Sequence, residues 1–478
     1  MRILCITSGL NGILNASFEL VKRLQHAGID CVCASPANVG SNVRAQKLEF
    51  IPLGKVNYDP APELPIFSGS FIRIKRYLYK LIHYQKRLDQ AVNNLHMDDF
   101  MDRIRKEQFD LIVIDIELHE HIMTLVANGH HVLLLSQWFS LWKRKGLPPI
   151  IDSTIPGKGL SGSKVGIEMR WIQIKWQRWW IFMKKRFFSF GTDRRSVLLE
   201  YARRIGFKPD YIPDNFWPGP FNYDQLPVIS MTSELLEFPH DLRSNYYSVG
   251  PMTNVHRIEI NSNLDVNQKI TSIIKEAKND NRKIIYCSVS TFKQGDYNFI
   301  NKVIQCVGEH DEWILIVGLG GKMDPAQLGN VPNNVFVFQF VPQLKVLRSA
   351  DLSINHGGIH TINECVHFGV PMLVYSGKRS DQNGCAARVK YHGIGDIGDK
   401  DNDSPQEIGE KIRYVMSNSE YSRKLKSIIK PEQLHLEKER LLEVVNRLVY
   451  PNSNDTIKNH VSDIALEHHS EMTSEQMI

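Results

Sequence analysis

The chain opens with an apolar segment, a turn that contains glycines, a helical pattern and a second apolar segment, and this succession constrains its fold more than any other feature. The first segment reads RILCIT, the turn reads SGLNG, and the second segment, IDCVCAS, follows Gly28. Continuously apolar strands are typical of parallel sheets that are covered on both faces. Strands that alternate with helices indicate an α/β fold. The sequence therefore predicts that the chain begins with a doubly wound α/β domain.

A second series of the same kind follows a polar stretch that begins after residue 252. Its predicted strands read KIIYCSV, WILIVGL, NVFVFQF, DLSINH and PMLVYS. We therefore predict two Rossmann-like domains with doubly wound parallel sheets, residues 1–251 and 252–450, that face a cleft. Within the first domain, residues 145–195 form a predicted insertion that begins with a long irregular segment rich in Pro and Gly. The polar residues 451–478 are predicted to be a disordered tail.

Charge and cysteine content exclude several classes of function. The 58 Lys and Arg exceed the 52 Asp and Glu by only six, and no nucleic-acid fold signature is present, so no nucleic-acid partner is expected. The seven Cys form no CxxC pair, which favours buried thiols and predicts no metal site. The apolar start is too short for a signal peptide, and no apolar stretch approaches about 20 residues. The expected location is the cytoplasm, with peripheral attachment at the inner face of a membrane left open.

Residues 340–388 carry the most informative motif of the sequence. After the strand DLSIN comes HGG, a turn of small residues, and a helix pattern that includes Thr361 and Glu364. Backbone N–H groups at a helix N-terminus bind phosphate, and glycine allows the phosphate to approach closely. Glu364 lies about one turn further on and suits a ribose diol, whereas Asp381 and Gln382 follow the next strand and suit sugar hydroxyls. The motif predicts a site for a nucleoside diphosphate sugar.

The ordered series PQ, HGG-x-x-T, E, GVP and DQ resembles the nucleotide-sugar signature of the UDP-glycosyltransferase family, and the resemblance extends over about residues 1–440. It implies the two-domain GT-B fold and inverting transfer of a hexose from a UDP-sugar, which is a co-substrate, with no cofactor or metal. The implied donor contacts are Phe340, Val341 and Gln343 for uracil, Glu364 for ribose, Thr291, His356, Gly358, His360 and Thr361 for diphosphate, and Asp381 and Gln382 for the sugar.

Four positions depart from the family pattern. His360 stands where the family usually has Asn, Ser290 where Gly is usual, and Ser376 where Pro is common. The fourth is Ile13, which occupies the position of the family's general base, a histidine, and has no lone pair to accept a proton. Asp115 matches the aspartate that orients that histidine, so it is the candidate catalytic residue.

Three explanations of Ile13 remain open. The acceptor needs no base, another residue serves as base, or the protein is a nucleotide-sugar-binding protein without transferase activity. The nearby DIELHEHI stretch offers Glu117, His119, Glu120 and His121 as further proton acceptors. Alternatively, these four are solvated residues at the start of a helix. A dTDP-sugar is the alternative donor.

The segment 171–190 combines aromatic and basic residues. At helical spacing it presents one apolar stripe, formed by Ile172, Trp176, Trp179, Trp180, Met183 and Phe187. Tryptophan beside Lys and Arg on a helix is typical of a membrane interface, and it also suits capture of a hydrophobic acceptor. The alternative is a core helix with a solvated basic face. The predicted partners are thus a UDP-sugar donor, a hydrophobic small-molecule or lipid acceptor, and a membrane surface.

Overall fold

The structure is a computed structural model that describes residues 1–54, 56–208, 221, 223–241, 244–257, 264–288, 296–321, 323–378, 381–428 and 431–450. The predicted donor residue Thr291, the departure Ser290 and the predicted tail 451–478 lie outside the described residues.

The first sheet contains seven parallel strands in the order β3-β2-β1-β4-β5-β6-β7. The strands are β1 (Arg2–Ile6), β2 (Asp30–Pro36), β3 (Glu49–Leu53), β4 (Leu111–Asp115), β5 (Val132–Ser136), β6 (Val228–Ser230) and β7 (Tyr246–Ser248). The helices in this part of the chain are α1 (Asn11–His26), α2 (Gly40–Ala45), α3 (Ile72–Ile82), α4 (Tyr84–Asn93), α5 (Met97–Ile104), α6 (His119–Ala127), α7 (Lys164–Ser189) and α8 (Arg194–Arg204).

The second sheet contains six parallel strands in the order β10-β9-β8-β11-β12-β13. The strands are β8 (Lys283–Ser288), β9 (Trp313–Gly318), β10 (Val335–Phe338), β11 (Leu352–Asn355), β12 (Met372–Val374) and β13 (Gly395–Ile397). The helices are α9 (Leu264–Asn279), α10 (Tyr297–Gly308), α11 (Gln343–Leu347), α12 (Ile359–Phe368), α13 (Gln382–Tyr391), α14 (Pro405–Ser417), α15 (Ser419–Ile428) and α16 (Pro431–Val449).

Both sheets are buried on both faces, as the continuously apolar strands predict. In β1, Leu4 and Ile6 belong to one apolar cluster, and Ile3 and Cys5 belong to another. In each sheet the strand order reverses beside its first strand, between β1 and β4 and between β8 and β11. Loops that follow strands at such a reversal open a crevice in which ligands bind. The residues that follow these four strands are therefore the expected ligand-binding residues.

Two details differ from the sequence-based expectations. The apolar spacing of residues 71–92 predicts one amphipathic helix, but the chain breaks at His83 and continues as α4. The irregular segment predicted for residues 145–170 ends earlier, since the Ser163 hydroxyl accepts a hydrogen bond from Gly166 N and caps α7 at 3.0 Å. All seven cysteines are buried.

The contacts between the halves of the chain include an apolar one and a buried ion pair. Helix α16 returns to the first sheet, where its residues Leu441, Val444 and Val445 join the apolar cluster of β1 and α1. On the other side, Arg388 of α13 pairs with Glu237, with Nε and Oε1 2.7 Å apart, and both side chains are buried. These contacts fix the position of one sheet edge relative to the other.

Candidate functional site

The first-domain side of the candidate site is organised by the carboxylate of Asp115, at the end of β4. One of its oxygens accepts a hydrogen bond from Ser8 N at 3.3 Å, and the other accepts one from Glu117 N at 3.1 Å. Asp115 is 1% exposed. Burial raises the pKa of this carboxyl, while the hydrogen bonds from Ser8 and Glu117 oppose that rise. Asp115 therefore joins the loops that follow β1 and β4 at the strand-order reversal.

Glu117 is the carboxyl group of this loop that remains partly exposed. Burial, together with the negative charges of Asp115 and Asp381, raises the pKa of Glu117 to about 8, against a smaller opposite effect of Arg194. Asp381 lies in the second half of the chain and is a predicted sugar contact. The influence of Asp381 on Glu117 shows that the two sheet edges bring acidic side chains together across the cleft.

The neighbouring His119, Glu120 and His121 lie inside the first domain and are not solvated as one alternative assumed. His119 Nδ1 is 3.0 Å from the Tyr223 hydroxyl, and burial lowers the pKa of His119 to about 3. Glu120 pairs with Arg194 at 2.7 Å. All three are 3% exposed or less, which places them in a polar network below the cleft.

The position of the missing histidine base is filled by an apolar core residue. Ile13 is completely buried in the cluster that includes Phe18 and Leu441. Its neighbour Gly12 contacts the second domain, because a Cβ atom at Gly12 would lie 2.7 Å from His360 Cδ2. His360 Nε2 also lies 3.3 Å from Gln137 Oε1, after β5. His360 thus contacts the first turn of α1 and the loop after β5 of the first domain.

The HGG turn lies between β11 and α12, as the motif predicts. Gly357 has a φ of +83°, and a Cβ there would lie 2.9 Å from the carbonyl oxygen of Gln382. Gly358 precedes α12 and provides no side-chain cap, and a Cβ there would lie 2.8 Å from His356 Nε2. The turn therefore brings His356, the start of α12 and the start of α13 together, and only residues without a Cβ fit between them.

Both histidines of the turn are neutral near neutral pH. Burial lowers the pKa of His356 and the pKa of His360 to about 4 each. A neutral imidazole carries one N–H donor, so each side chain can donate one hydrogen bond to an anionic ligand. The assignment of these residues to a diphosphate stays a prediction, as does that of Thr361, which is half-buried in the first turn of α12.

The predicted ribose residue, Glu364, is held in a network that the motif did not reveal. Gln343 Nε2 donates to one Glu364 oxygen at 2.5 Å, and the Tyr286 hydroxyl donates to Gln343 Oε1 at 3.1 Å. The other Glu364 oxygen is paired with Arg257, a residue of the linker between the sheets. Glu364 is therefore an oriented acceptor of hydrogen bonds. No residue spacing linked Arg257 to this site, so the sequence offered no signal for it.

The predicted base-stacking residue is the part of the site most open to solvent. Phe340 is 39% exposed, and its ring lies over Gly321, where a Cβ would approach the ring to 2.3 Å. Val341 packs beside Gly318 at the end of β9. An exposed aromatic face next to glycines offers a flat shelf for a planar ring.

Asp381 and Gln382 lie at the start of α13, beside the insertion. The Gln382 side chain lies against Gly377, and Asp381 is 9% exposed. Asn383 Nδ2 donates to the backbone oxygen of Ile151 at 3.2 Å. The insertion predicted at residues 145–195 therefore borders the predicted sugar end of the site.

A cavity of about 710 Å³ lies within that insertion. It opens between residues 152–161 and the first half of α7, and Met169 and Ile172 provide apolar lining. The Arg170–Asp152 ion pair crosses the same region. A cavity of this size, next to the sugar end, can hold a medium-sized organic molecule.

The aromatic stripe of α7 is exposed, which is inconsistent with the alternative of a core helix for those six residues. Ile172, Trp176, Trp179, Trp180, Met183 and Phe187 are 38–64% exposed. The buried residues of α7 are instead Ile167, Trp171 and Ile174. Within the described residues, no helix has the length and apolarity required to cross a membrane.

Solved structures with this architecture are glycosyltransferases. The crystal structure of the glycotransferase of kitacinnamycin is 17% identical, with a TM-score of 0.64, and the alignment covers 94% of this chain and 98% of that one. The chain therefore has the GT-B fold of glycosyltransferases, as predicted.

Sequence comparisons identify related proteins. Residues 301–449 match the family described as erythromycin biosynthesis protein CIII-like, C-terminal domain. An uncharacterized UDP-glucosyltransferase, YdhE, of Bacillus subtilis is 29% identical over 167 residues, which are 35% of this chain and 42% of that protein. The zeaxanthin glucosyltransferase of Pantoea ananas is 24% identical over 236 residues, 48% of this chain and 50% of the relative. Both relatives are named as glucosyltransferases, and these alignments span half the length of the relatives or less.

Proposed function

We propose that this protein transfers a hexose from a UDP-sugar to a hydrophobic small-molecule or lipid acceptor, with inversion at the anomeric carbon. One observation carries the proposal. The charge of Asp381, at the start of α13, acts on Glu117, which follows β4, at the facing edges of two parallel sheets. Similarity to glycosyltransferases suggests the reaction class, and the proximity of these two acidic side chains gives a place for it.

The donor's departing diphosphate would be bound by the turn between β11 and α12. Gly358 leaves the first N–H groups of α12 without a side-chain cap, and the helix dipole favours an anion there. His356 lies against Gly358 and can donate one further hydrogen bond. Negative charge develops on the leaving UDP, so donors placed there stabilise the transition state more than the ground state. We propose that no metal ion is needed for this step.

Glu117 is the better candidate for the general base, and Asp115 positions it. Both Asp115 oxygens accept backbone hydrogen bonds, one of them from Glu117 N, whereas the Glu117 carboxyl is partly exposed and close to Asp381. A base must reach the acceptor hydroxyl within hydrogen-bond distance. In the proposed step, an ionised Glu117 removes the hydroxyl proton, the acceptor oxygen bonds to the anomeric carbon, and the bond to the diphosphate breaks.

A hydrophobic acceptor fits the insertion that borders the start of α13. The insertion that contacts α13 contains the 710 Å³ cavity, and its apolar lining residues Met169 and Ile172 lie at the start of the exposed stripe of α7. The zeaxanthin glucosyltransferase relative is named for a lipophilic acceptor. We propose that the acceptor enters along this segment, which is also the part of the chain expected to contact a membrane.

Purified protein with radiolabelled UDP-sugars and a panel of lipophilic alcohols and carboxylic acids tests the proposal. Transfer to any acceptor with inverted anomeric configuration, measured by NMR coupling constants, is the expected result. Binding of UDP-sugar without turnover across the panel would instead support the nucleotide-sugar-binding alternative, which the buried Ile13 favours. Thermal shifts with UDP and with dTDP distinguish the two donor classes, because a ligand stabilises the fold according to its affinity.

A further inference from the structure

We propose that helices α3 and α7 together form a docking surface for an anionic membrane. The two-helix surface consists of the exposed apolar side chains of both helices: Ile74, Leu78, Leu81 and Ile82 of α3, and Ile172, Trp176, Trp179, Trp180, Met183 and Phe187 of α7. The composition of segment 171–190 already indicates a membrane contact, whereas only the structure shows that α3 lies beside it.

Helix α3 is unusual because its apolar face is turned to solvent. Ile74, Leu78, Leu81 and Ile82 are spaced as one face of a helix, yet they are 47–73% exposed, and no residue of α3 is buried. Amphipathic helices of globular proteins normally place such a face on the core. An apolar face that the fold leaves uncovered indicates a partner outside the chain.

The two helices meet at their C-terminal ends. Lys80 Nζ donates to the backbone oxygen of Phe188 at 3.1 Å, and the rings of Tyr77 and Phe190 lie edge to face with centroids 4.7 Å apart. A Cβ at Gly191 would lie 3.1 Å from the Tyr84 ring. The exposed apolar residues of α3 therefore adjoin the C-terminal end of the α7 stripe.

The positive charge of this region favours an anionic partner. Residues 66–88 and residues 169–192 each contain six Lys and Arg, and neither segment contains Asp or Glu. Burial and the positive charges of Arg87 and Arg76 lower the pKa of Lys80, which shows how closely the cations are grouped. Basic residues that flank exposed Trp and Leu suit the interface of an anionic bilayer. Two copies of this surface would repel each other, so self-association is disfavoured.

Sedimentation of the full chain with lipid vesicles tests the surface. Vesicles of phosphatidylcholine alone are compared with vesicles that also contain phosphatidylserine, at low and at high salt. We expect binding to the anionic vesicles only, with a marked loss at high salt. Lys184→Glu with Lys185→Glu should weaken it at least about tenfold, because each cation near such a surface contributes about fivefold. Trp176→Ser with Trp180→Ser, and separately Leu78→Ser with Ile82→Ser, should weaken binding similarly.

Matched controls lie elsewhere on the surface. Leu264→Ser with Tyr414→Ser removes two exposed apolar side chains, and Lys424→Glu with Lys426→Glu reverses two exposed charges, and neither pair should affect sedimentation. Equal binding to neutral and anionic vesicles, or full binding by the α3 and α7 variants, would overturn the proposal. The proposal would also be overturned if the protein bound no vesicles and formed a dimer in sedimentation velocity that these variants dissociate. The sedimentation experiment contains no UDP-sugar, so its result does not depend on whether the proposed sugar transfer is correct.

Discussion

Glu117 and Asp381 lie on opposite sides of the cleft, and the charge of Asp381 contributes to the raised pKa of Glu117. One residue follows β4 of the first sheet, and the other precedes α13 of the second. Each sheet edge contributes one of the two carboxyl groups. Their proximity defines where an acceptor hydroxyl and a donor sugar would meet.

Glu117→Gln should therefore reduce transfer to a hydroxyl acceptor by about 10²–10⁴-fold in kcat, as loss of a general base does. UDP binding, measured by calorimetry, should be retained. Asp115→Asn should reduce kcat less and also lower the melting temperature, since Asp115 joins two loops through backbone hydrogen bonds. A larger kcat loss in Asp115→Asn, with unchanged stability, would make Asp115 the base instead.

The raised pKa of Glu117 also predicts a pH-dependent stability. Its folded-state pKa of about 8 lies above the ordinary 4.5, so the unfolded chain loses this proton first as pH rises. Glu117 therefore destabilises the fold progressively between these two values. Glu117→Gln should raise the melting temperature, with a difference from the unmodified protein that grows between pH 5 and pH 8 and then levels off. A difference that is constant across this range would contradict the assignment.

The HGG turn predicts a change in donor affinity without unfolding. His356→Ala should raise the KM for the UDP-sugar about 10–100-fold, because a hydrogen bond to a charged group contributes about 1.5–3 kcal/mol. Gly358→Ala should have a similar effect, since the new Cβ would displace the His356 ring. His26→Ala, on the exposed end of α1, and Gly54→Ala, which has open space around it, are the matched controls. Unchanged donor kinetics in folded variants would remove the diphosphate site from this turn.

The buried pair between the domains predicts a large stability effect. Arg388 is 2% exposed, pairs with Glu237 and lies over the rings of Phe139 and Phe238. Arg388→Met should lower the free energy of unfolding by about 3–5 kcal/mol, because it leaves the Glu237 charge buried without its partner. Adding Glu237→Gln should recover part of the loss in urea titrations. Additive losses in the double variant would show that the pair is not coupled.

The sequence predicted the strands and the HGG turn between β11 and α12 well, because apolar runs and paired glycines are local signals. It did not predict the exposed face of α3, since periodicity identifies an apolar face and not what covers it. It did not connect Arg257 with Glu364, or Glu117 with Asp381, because those neighbours are far apart in the chain. Such pairs depend on how the two sheets face each other.

The last prediction concerns the residue that stands in place of the family histidine. Because the family has a histidine at this position, the sequence by itself predicts that Ile13→His adds activity on hydroxyl acceptors. In the structure Ile13 is completely buried among apolar side chains, so an imidazole there would replace core packing with an unsatisfied polar group. We expect the free energy of unfolding to fall by about 2–4 kcal/mol, with no gain in activity on hydroxyl acceptors. Transfer that increases in a stable Ile13→His variant would mean that this position faces the acceptor, and the assignment of the base to Glu117 would then be wrong.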